Sequence, residues 1–240
     1  MKTNQGTLKG SWLLSLAFLL PLMLNGQSVP ADTSYLANVK NEMRKMWPES
    51  RTINLVFHGH SVPAGYWTNH EVHTLESYPN LVLGKLKTKY PYAVINVIVT
   101  AIGGENSIKG ESRMDRVLAH QPDVLFIDYA LNDRSAGLAK AKTAWGKMIA
   151  AARERNIKVI LLTASPDQRV DILEEGNDLQ VHSEQIRHMA ISNEVGLLDS
   201  FSLFQQIAER EGSIINYMSH VNHPNEEGHD VIATAIMKWF

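Results

Sequence analysis

The stretch Thr52-Ile-Asn-Leu-Val-Phe-His-Gly-His-Ser61 carries the strongest indication of the fold. Its first seven residues are rich in β-branched and aromatic side chains and a glycine follows them, so they predict a strand that ends in a turn. Similar runs recur along the chain. Together they predict five strands, at 52–58, 93–100, 124–128, 157–163 and 195–199.

Stretches of helical period separate these runs. Pro79 stands in a first helical turn, Ser107 is a candidate N-cap, and Asn225 after Pro224 opens the last stretch. Tyr35, Leu36, Val39, Met43 and Met46 predict one more helix before the first strand. The other predicted helices are 80–89, 107–120, 139–155, 181–193, 200–211 and 225–240. Alternation of strand and helix predicts an α/β fold, with a mostly parallel five-stranded sheet between two helical layers.

The composition excludes several classes of protein and of partner. The chain has 240 residues, no cysteine, 44% hydrophobic residues and a formal net charge of −2. These values exclude a disulfide-stapled miniprotein, a zinc-thiolate domain and a disordered chain. A mildly acidic chain with no basic run also argues against nucleic acid or anionic lipid as the main partner.

The N-terminus has the profile of a signal peptide. An apolar run from Trp12 to Leu24 follows Lys2 and Lys9, and no acidic residue precedes Asp32. A membrane-spanning helix needs about 20 apolar residues, so this run is too short to be one; a buried N-terminal helix is the alternative. Cleavage after Gly26 predicts a signal peptide at 1–26 and a single domain at 27–240. Without a cysteine for lipidation we expect no stable membrane anchor, and a secreted or periplasmic protein.

Four residues that could take part in catalysis stand where functional groups are expected, because the carboxyl ends of parallel strands meet at one edge of a sheet. Ser61 follows the first predicted strand, Gly104 the second and Asn132 the third, while His223 lies in a loop before the last helix. A serine at a strand-to-helix turn suits a nucleophile, a glycine N–H and a side-chain amide can stabilise an oxyanion, and a loop histidine can act as general base. Taken singly, each has an ordinary alternative: a helix cap, a tight turn, a turn residue or a solvated histidine.

In this order the four residues resemble the blocks of the SGNH or GDSL hydrolase family, and the resemblance extends from Thr52 to the end of the chain. It implies a flavodoxin-like three-layer α/β/α sandwich, and a serine esterase that needs no cofactor and no metal. By the family's motifs Ser61 is the nucleophile and His223 the base. The Ser61 N–H, the Gly104 N–H and the Asn132 amide would form the oxyanion hole.

Two positions depart from the family pattern. His60 stands where the family usually has aspartate, next to the nucleophile. His220 stands three residues before the base, where the family places the acid of its triad. Three hypotheses arise for His223: a backbone carbonyl orients it, another carboxylate reaches it, or the protein is catalytically weak or inactive. The candidate carboxylates are Asp128, Asp133 and Glu226.

Two other classes of function compete with the esterase. Ten histidines, several closely spaced, allow a metal site, although His70 and His73 lack the spacing of a helical metalloprotease pair. An inactive carbohydrate-binding protein of the same fold could use aromatic platforms, for which the candidates are Tyr66, Trp67, Tyr90 and Tyr92. For an esterase, the lack of a long apolar insertion favours short acyl or O-acetyl esters as substrates, with carbohydrate esters as one class.

Overall fold

The computed structural model describes residues 1–2 and 31–240. Beyond its first two residues, the predicted signal peptide lies outside the described residues. Within 31–240, no helix has both the length and the apolar character needed to cross a membrane.

The five predicted strands are confirmed, with bounds close to those expected. They are β1 (Thr52–Gly59), β2 (Val94–Val99), β3 (Val124–Asp128), β4 (Lys158–Leu162) and β5 (Gly196–Leu198). A short antiparallel pair that the sequence did not indicate, β6 (Met218–His220) and β7 (His223–Pro224), comes near the C-terminus. The α-helices of residues 31–240 are α1 (Ala37–Met43), α2 (Ser61–Ala64), α3 (Tyr78–Lys89), α4 (Ser107–Glu111), α5 (Met114–Leu118), α6 (Leu138–Arg153), α7 (Asp178–Asn193), α8 (Ser200–Glu211) and α9 (Glu226–Ile236).

The main sheet has the order β2-β1-β3-β4-β5, and every neighbouring pair is parallel. Helix α3 packs with α9, and α6 packs with α4, α5 and α7, which gives the two outer layers. The predicted three-layer α/β/α sandwich is therefore confirmed. In this order β2 lies on one side of β1, whereas β3, β4 and β5 follow on the other side. The junction between β1 and β3 is therefore a topological switch point, where open α/β sheets bind ligands.

Aromatic side chains fill the centre of the sheet beneath this switch point. Phe57 of β1 and Phe126 of β3 are register partners, and their rings stack with centroids 4.3 Å apart. Tyr78, at the start of α3, meets Phe57 edge-on at 5.7 Å. All three are fully buried, and burial of one such ring stabilises a fold by roughly 1.5–3 kcal/mol. These buried rings pack β1, β3 and α3 together and so fix the strand ends from which the loops begin.

Two helix predictions are wrong in detail. The helix expected at 107–120 is two short helices, because Arg113 leaves helical geometry, with φ −110° and ψ 7°, and donates hydrogen bonds to Glu105. Its N-cap is Asn106, whose side chain accepts from the Lys109 N–H, rather than Ser107. Met46 lies beyond the end of α1 and is largely exposed.

Candidate functional site

The structure brings Ser61 and His223 together from opposite ends of the domain. Ser61 begins α2 directly after β1, and its Oγ lies 2.9 Å from Nε2 of His223. His223 begins β7, and the hydroxyl of Ser219 donates to the carbonyl oxygens of His223 and Pro224. The short β6–β7 pair therefore fixes the backbone that carries the imidazole. Ser61 is only 7% exposed, so contacts within the protein orient its hydroxyl.

His60 caps the helix that Ser61 begins. Its Nδ1 accepts the N–H of Val62 at 3.2 Å, so the alternative that Ser61 serves as the helix cap is wrong. Gly59 makes this turn possible, because a Cβ there would come within 2.5 Å of the Asp128 carbonyl oxygen. With the cap supplied by its neighbour, the Ser61 hydroxyl is left for His223.

A buried polar network that the sequence did not reveal lies under this turn. Nε2 of His60 is 3.4 Å from Oδ1 of Asp128, and the Tyr78 hydroxyl donates to Oδ2 of the same carboxylate at 3.0 Å. The N–H of Tyr78 in turn donates to Nδ1 of His229 at 3.3 Å. The network therefore links the turn before Ser61 to α9, the helix that comes after His223.

The protonation states in this network suit their hydrogen bonds. Burial and the nearby Asp128 raise the pKa of Tyr78 well above its ordinary value, so the phenol keeps its proton and donates. Burial lowers the pKa of His229 to about 3, so its imidazole is neutral and accepts.

Gly104 and Asn132 lie on adjacent loops at the same edge of the sheet. Nδ2 of Asn132 donates to the Glu105 carbonyl at 2.9 Å, which ties the loop after β3 to the loop after β2. An amide nitrogen carries two hydrogens, so one donor is left for a ligand. Gly104 has φ +75°, a conformation that glycine adopts without strain. A Cβ on Gly103 would meet the ring of Tyr66 at 2.9 Å, so this loop packs closely against the side of the site that holds Ser61.

An open cleft of about 430 Å³ lies beside the serine–histidine pair, lined by residues 66–70, His220 and His223. Of the four aromatic residues predicted as platforms, Tyr66 and Trp67 border this cleft. Tyr90 is buried, and its hydroxyl hydrogen-bonds to the Phe240 carbonyl. Tyr92 precedes β2 and so lies at the opposite end of the sheet.

The sequence matches one family of known proteins. A model of the GDSL-like lipase/acylhydrolase family matches residues 57–231, which is well over half of the chain and includes Ser61, Gly104, Asn132 and His223. The chain belongs to this family. The family groups lipases and acylhydrolases, which hydrolyse carboxylic esters. No curated protein matches the sequence.

Solved structures of several esterases share the fold. A two-domain esterase active on acetylated mannans is 19% identical with a TM-score of 0.69, and the match covers 88% of this chain and 53% of that chain. An acetyl xylan esterase is 24% identical with a TM-score of 0.65 (77% and 98% covered). A catalytic mutant of an acetylxylan esterase from Geobacillus stearothermophilus is 18% identical with a TM-score of 0.68 (78% and 93% covered). The chain spans about half the length of the mannan esterase.

Against the pattern of the GDSL-like family, the second ring nitrogen of His223 is unusual. Nδ1 is buried, and no group within residues 31–240 hydrogen-bonds to it. The hypothesis that a backbone carbonyl orients His223 is therefore wrong for this structure. The position of the family's acid is taken by His220, whose ring packs against that of His223 with centroids 5.9 Å apart.

The three candidate carboxylates do not reach this nitrogen. Asp128 belongs to the network with His60 and Tyr78. Asp133 accepts from the Ser107 N–H at 2.8 Å and from Trp145 Nε1 at 2.6 Å. Glu226 is the first residue of α9 and is exposed. The rings of His220 and Tyr66 are the aromatic neighbours of the imidazole among the described residues, with the Tyr66 centroid 6.2 Å away.

The surroundings of His223 keep it neutral. Burial, together with the nearby imidazoles of His220 and His60, lowers its pKa to about 4. A neutral imidazole can accept the Ser61 proton, so this group is competent as a base over a wide pH range. A base of such low pKa is also a weak one, which limits the rate of proton transfer.

The lowered pKa predicts an unusual pH profile. Only neutral His223 can accept a proton, and the neutral form persists until the pH falls to about 4. We expect kcat/KM for p-nitrophenyl acetate to stay nearly constant from about pH 8 to about pH 5 and to fall by half near pH 4. Recovery of activity on return to neutral pH controls for acid unfolding. A half-fall near pH 6.5, the ordinary histidine value, would contradict the geometry described for His223.

Proposed function

We propose that the protein hydrolyses short acyl esters through an acyl-enzyme on Ser61. The 2.9 Å hydrogen bond between Ser61 Oγ and His223 Nε2 carries this proposal. A nucleophile within hydrogen-bond reach of a neutral base is the arrangement that serine acyl transfer requires. No cofactor is needed for this chemistry.

The reaction proceeds in two acyl transfers. Ser61 Oγ attacks the ester carbonyl while its proton passes to Nε2 of His223. The oxyanion that forms accepts hydrogen bonds from the Ser61 and Gly104 N–H groups and from Nδ2 of Asn132, and one such donor is worth about 3 kcal/mol. As the intermediate collapses, His223 protonates the departing alkoxide. Water then attacks the acyl-enzyme, giving up a proton to His223, and the carboxylic acid leaves as Ser61 regains its proton.

The sequence favours a short acyl group. From Thr52 to Phe240 it has no long apolar insertion that could cover a fatty acyl chain, and a long aliphatic chain needs an enclosed apolar channel to leave water. Similar folds in esterases that act on acetylated mannan or acetyl xylan agree with acetate as the acyl group.

A second candidate is a carbohydrate-binding protein of low or no turnover. The buried Nδ1 of His223, which has no partner in the described part of the chain, favours it. During proton transfer this imidazole becomes cationic without a carboxylate beside it, and loss of that stabilisation in a serine triad costs about 10⁴ in kcat. Turnover of an ester substrate therefore distinguishes a slow esterase from a binding protein.

We further propose that the protein is exported, with residues 1–26 as a cleaved signal peptide. The apolar run 12–24 after Lys2 and Lys9 supports this.

Replacement of the nucleophile tests the proposed reaction. Ser61→Ala removes the attacking oxygen, and we expect it to lower kcat on p-nitrophenyl acetate by at least about 10³-fold with little change in thermal stability. Across p-nitrophenyl esters from acetate to palmitate, the wild type should prefer acetate or butyrate. Turnover that survives in Ser61→Ala would contradict the mechanism. A long-chain optimum would overturn the short-acyl assignment, and no turnover on any ester would favour the binding protein.

Secretion of the full-length chain in a bacterial host tests the proposed export. We expect mature protein outside the cytoplasm, with Gln27 as its first residue by N-terminal sequencing. Full-length protein retained in the cytoplasm would contradict a cleaved signal peptide.

A further inference from the structure

The cleft beside His223 lies on the side of the site that receives the leaving alcohol. His223 lines this cleft, and in serine acyl transfer the base gives its proton to the departing oxygen. The alcohol half of a bound ester must therefore extend from Ser61 past His223 and into the cleft. What lines the cleft selects the alcohol and not the acyl group.

Residues 66–70 of the cleft lining belong to a closed loop that comprises residues 65–76. The His73 N–H donates to the Gly65 carbonyl at 2.7 Å, and the Trp67 N–H donates to the Glu71 carbonyl at 2.8 Å. Gly65 has φ +84°, and a Cβ there would meet the His73 carbonyl oxygen at 2.6 Å, so the loop closes only because this residue is glycine. These contacts hold the backbone of Trp67 in one position.

The side chain of Trp67 is also fixed. The His73 ring stacks on the indole with centroids 4.4 Å apart and planes 16° from parallel. His73 itself is anchored by Glu71, whose Oε2 is 3.0 Å from Nε2 of the imidazole. His73 is not part of the cleft lining, whereas Trp67 is. One face of the indole is therefore covered by His73, so a ring that stacks on Trp67 from the cleft must use the other face.

The rest of the lining is polar but contains no acidic side chain, lysine or arginine of the described residues. Thr68 and Asn69 offer a hydroxyl and an amide, and His70 and His220 offer imidazoles. An uncharged hydroxylated ring with one apolar face fits such a surface: its C–H face stacks on the indole while its hydroxyls bond to the polar groups. A phosphorylated alcohol would lack a cation here, and an aliphatic alcohol would form no hydrogen bonds with these polar groups.

We propose that Trp67, backed by His73, is a stacking platform for a neutral pyranose ring, so that the alcohol half of the substrate is an O-acylated sugar. This assignment rests on the proposed esterase activity and names its substrate class. Trp67 acts on substrate choice, since it holds the sugar and leaves the acyl transfer to Ser61 and His223.

A ratio of two activities tests the platform. We compare kcat/KM for acetylated xylo-oligosaccharides with kcat/KM for vinyl acetate, whose alcohol half has no ring to stack. In Trp67→Ala this ratio should fall at least about tenfold, mainly through KM for the sugar ester, and Trp67→Phe should recover part of it. His73→Ala, which leaves the indole unsupported, should give an intermediate loss. Tyr92→Ala removes an exposed aromatic ring at the far end of the sheet and should leave the ratio unchanged.

A binding measurement separates failure of this inference from failure of the proposed function. Titration calorimetry of xylotetraose with Ser61→Ala should show binding that is weakened at least about tenfold in Ser61→Ala/Trp67→Ala. If Trp67→Ala changed neither the ratio nor the binding, the proposed stacking platform would be contradicted. Turnover of vinyl acetate by the wild type would still support the proposed esterase activity. Trp67-dependent binding without turnover of either ester would keep the platform and overturn the esterase.

Discussion

The hydrogen bond between Ser61 Oγ and His223 Nε2 is the contact on which the chemistry depends, and much of the fold serves to hold its two ends. Ser61 directly follows β1, and His223 belongs to the β6–β7 pair. The stacked rings of Phe57 and Phe126 fix β1 against β3 directly below. Below the serine turn, Asp128 lies 3.4 Å from His60, and buried hydrogen bonds lead from Asp128 through Tyr78 to His229 of α9. Loss of one partner in such a buried network costs about 1–3 kcal/mol, so a shift of either end is resisted.

The same site lacks the charge that usually accompanies such a pair. With His220 in place of an acid and Nδ1 of His223 unpartnered among the described residues, packing against aromatic rings orients the base. Packing can fix an angle, but it does not stabilise the imidazolium that forms during the reaction. The consequence is a base that stays neutral in acid and is weaker for that reason.

The placement of the candidate site residues at strand ends was predictable from the sequence. Ser61, Gly104 and Asn132 each come after a β-branched run, and the parallel sheet places them at one edge for a simple topological reason. The network of Asp128, Tyr78 and His229 was not predictable, because its members are far apart in sequence and meet only in the packed structure. The surroundings of Nδ1 were misjudged for a related reason. Spacing identifies a candidate base, whereas the partner of its second nitrogen depends on the exact path of a two-residue strand.

The central claim is that a serine–histidine pair operates here without an anionic partner, and restoring that partner tests it most directly. His220→Asp places a carboxylate at the family's acid position, with His220→Asn as the uncharged control. For p-nitrophenyl acetate we predict that His220→Asp raises kcat at least about tenfold and moves the acidic limb of the pH profile upward by more than His220→Asn does, whereas His220→Asn leaves kcat unchanged. An Asp variant that is no faster than the Asn control, with its acidic limb at the same pH as the control's, would contradict the account.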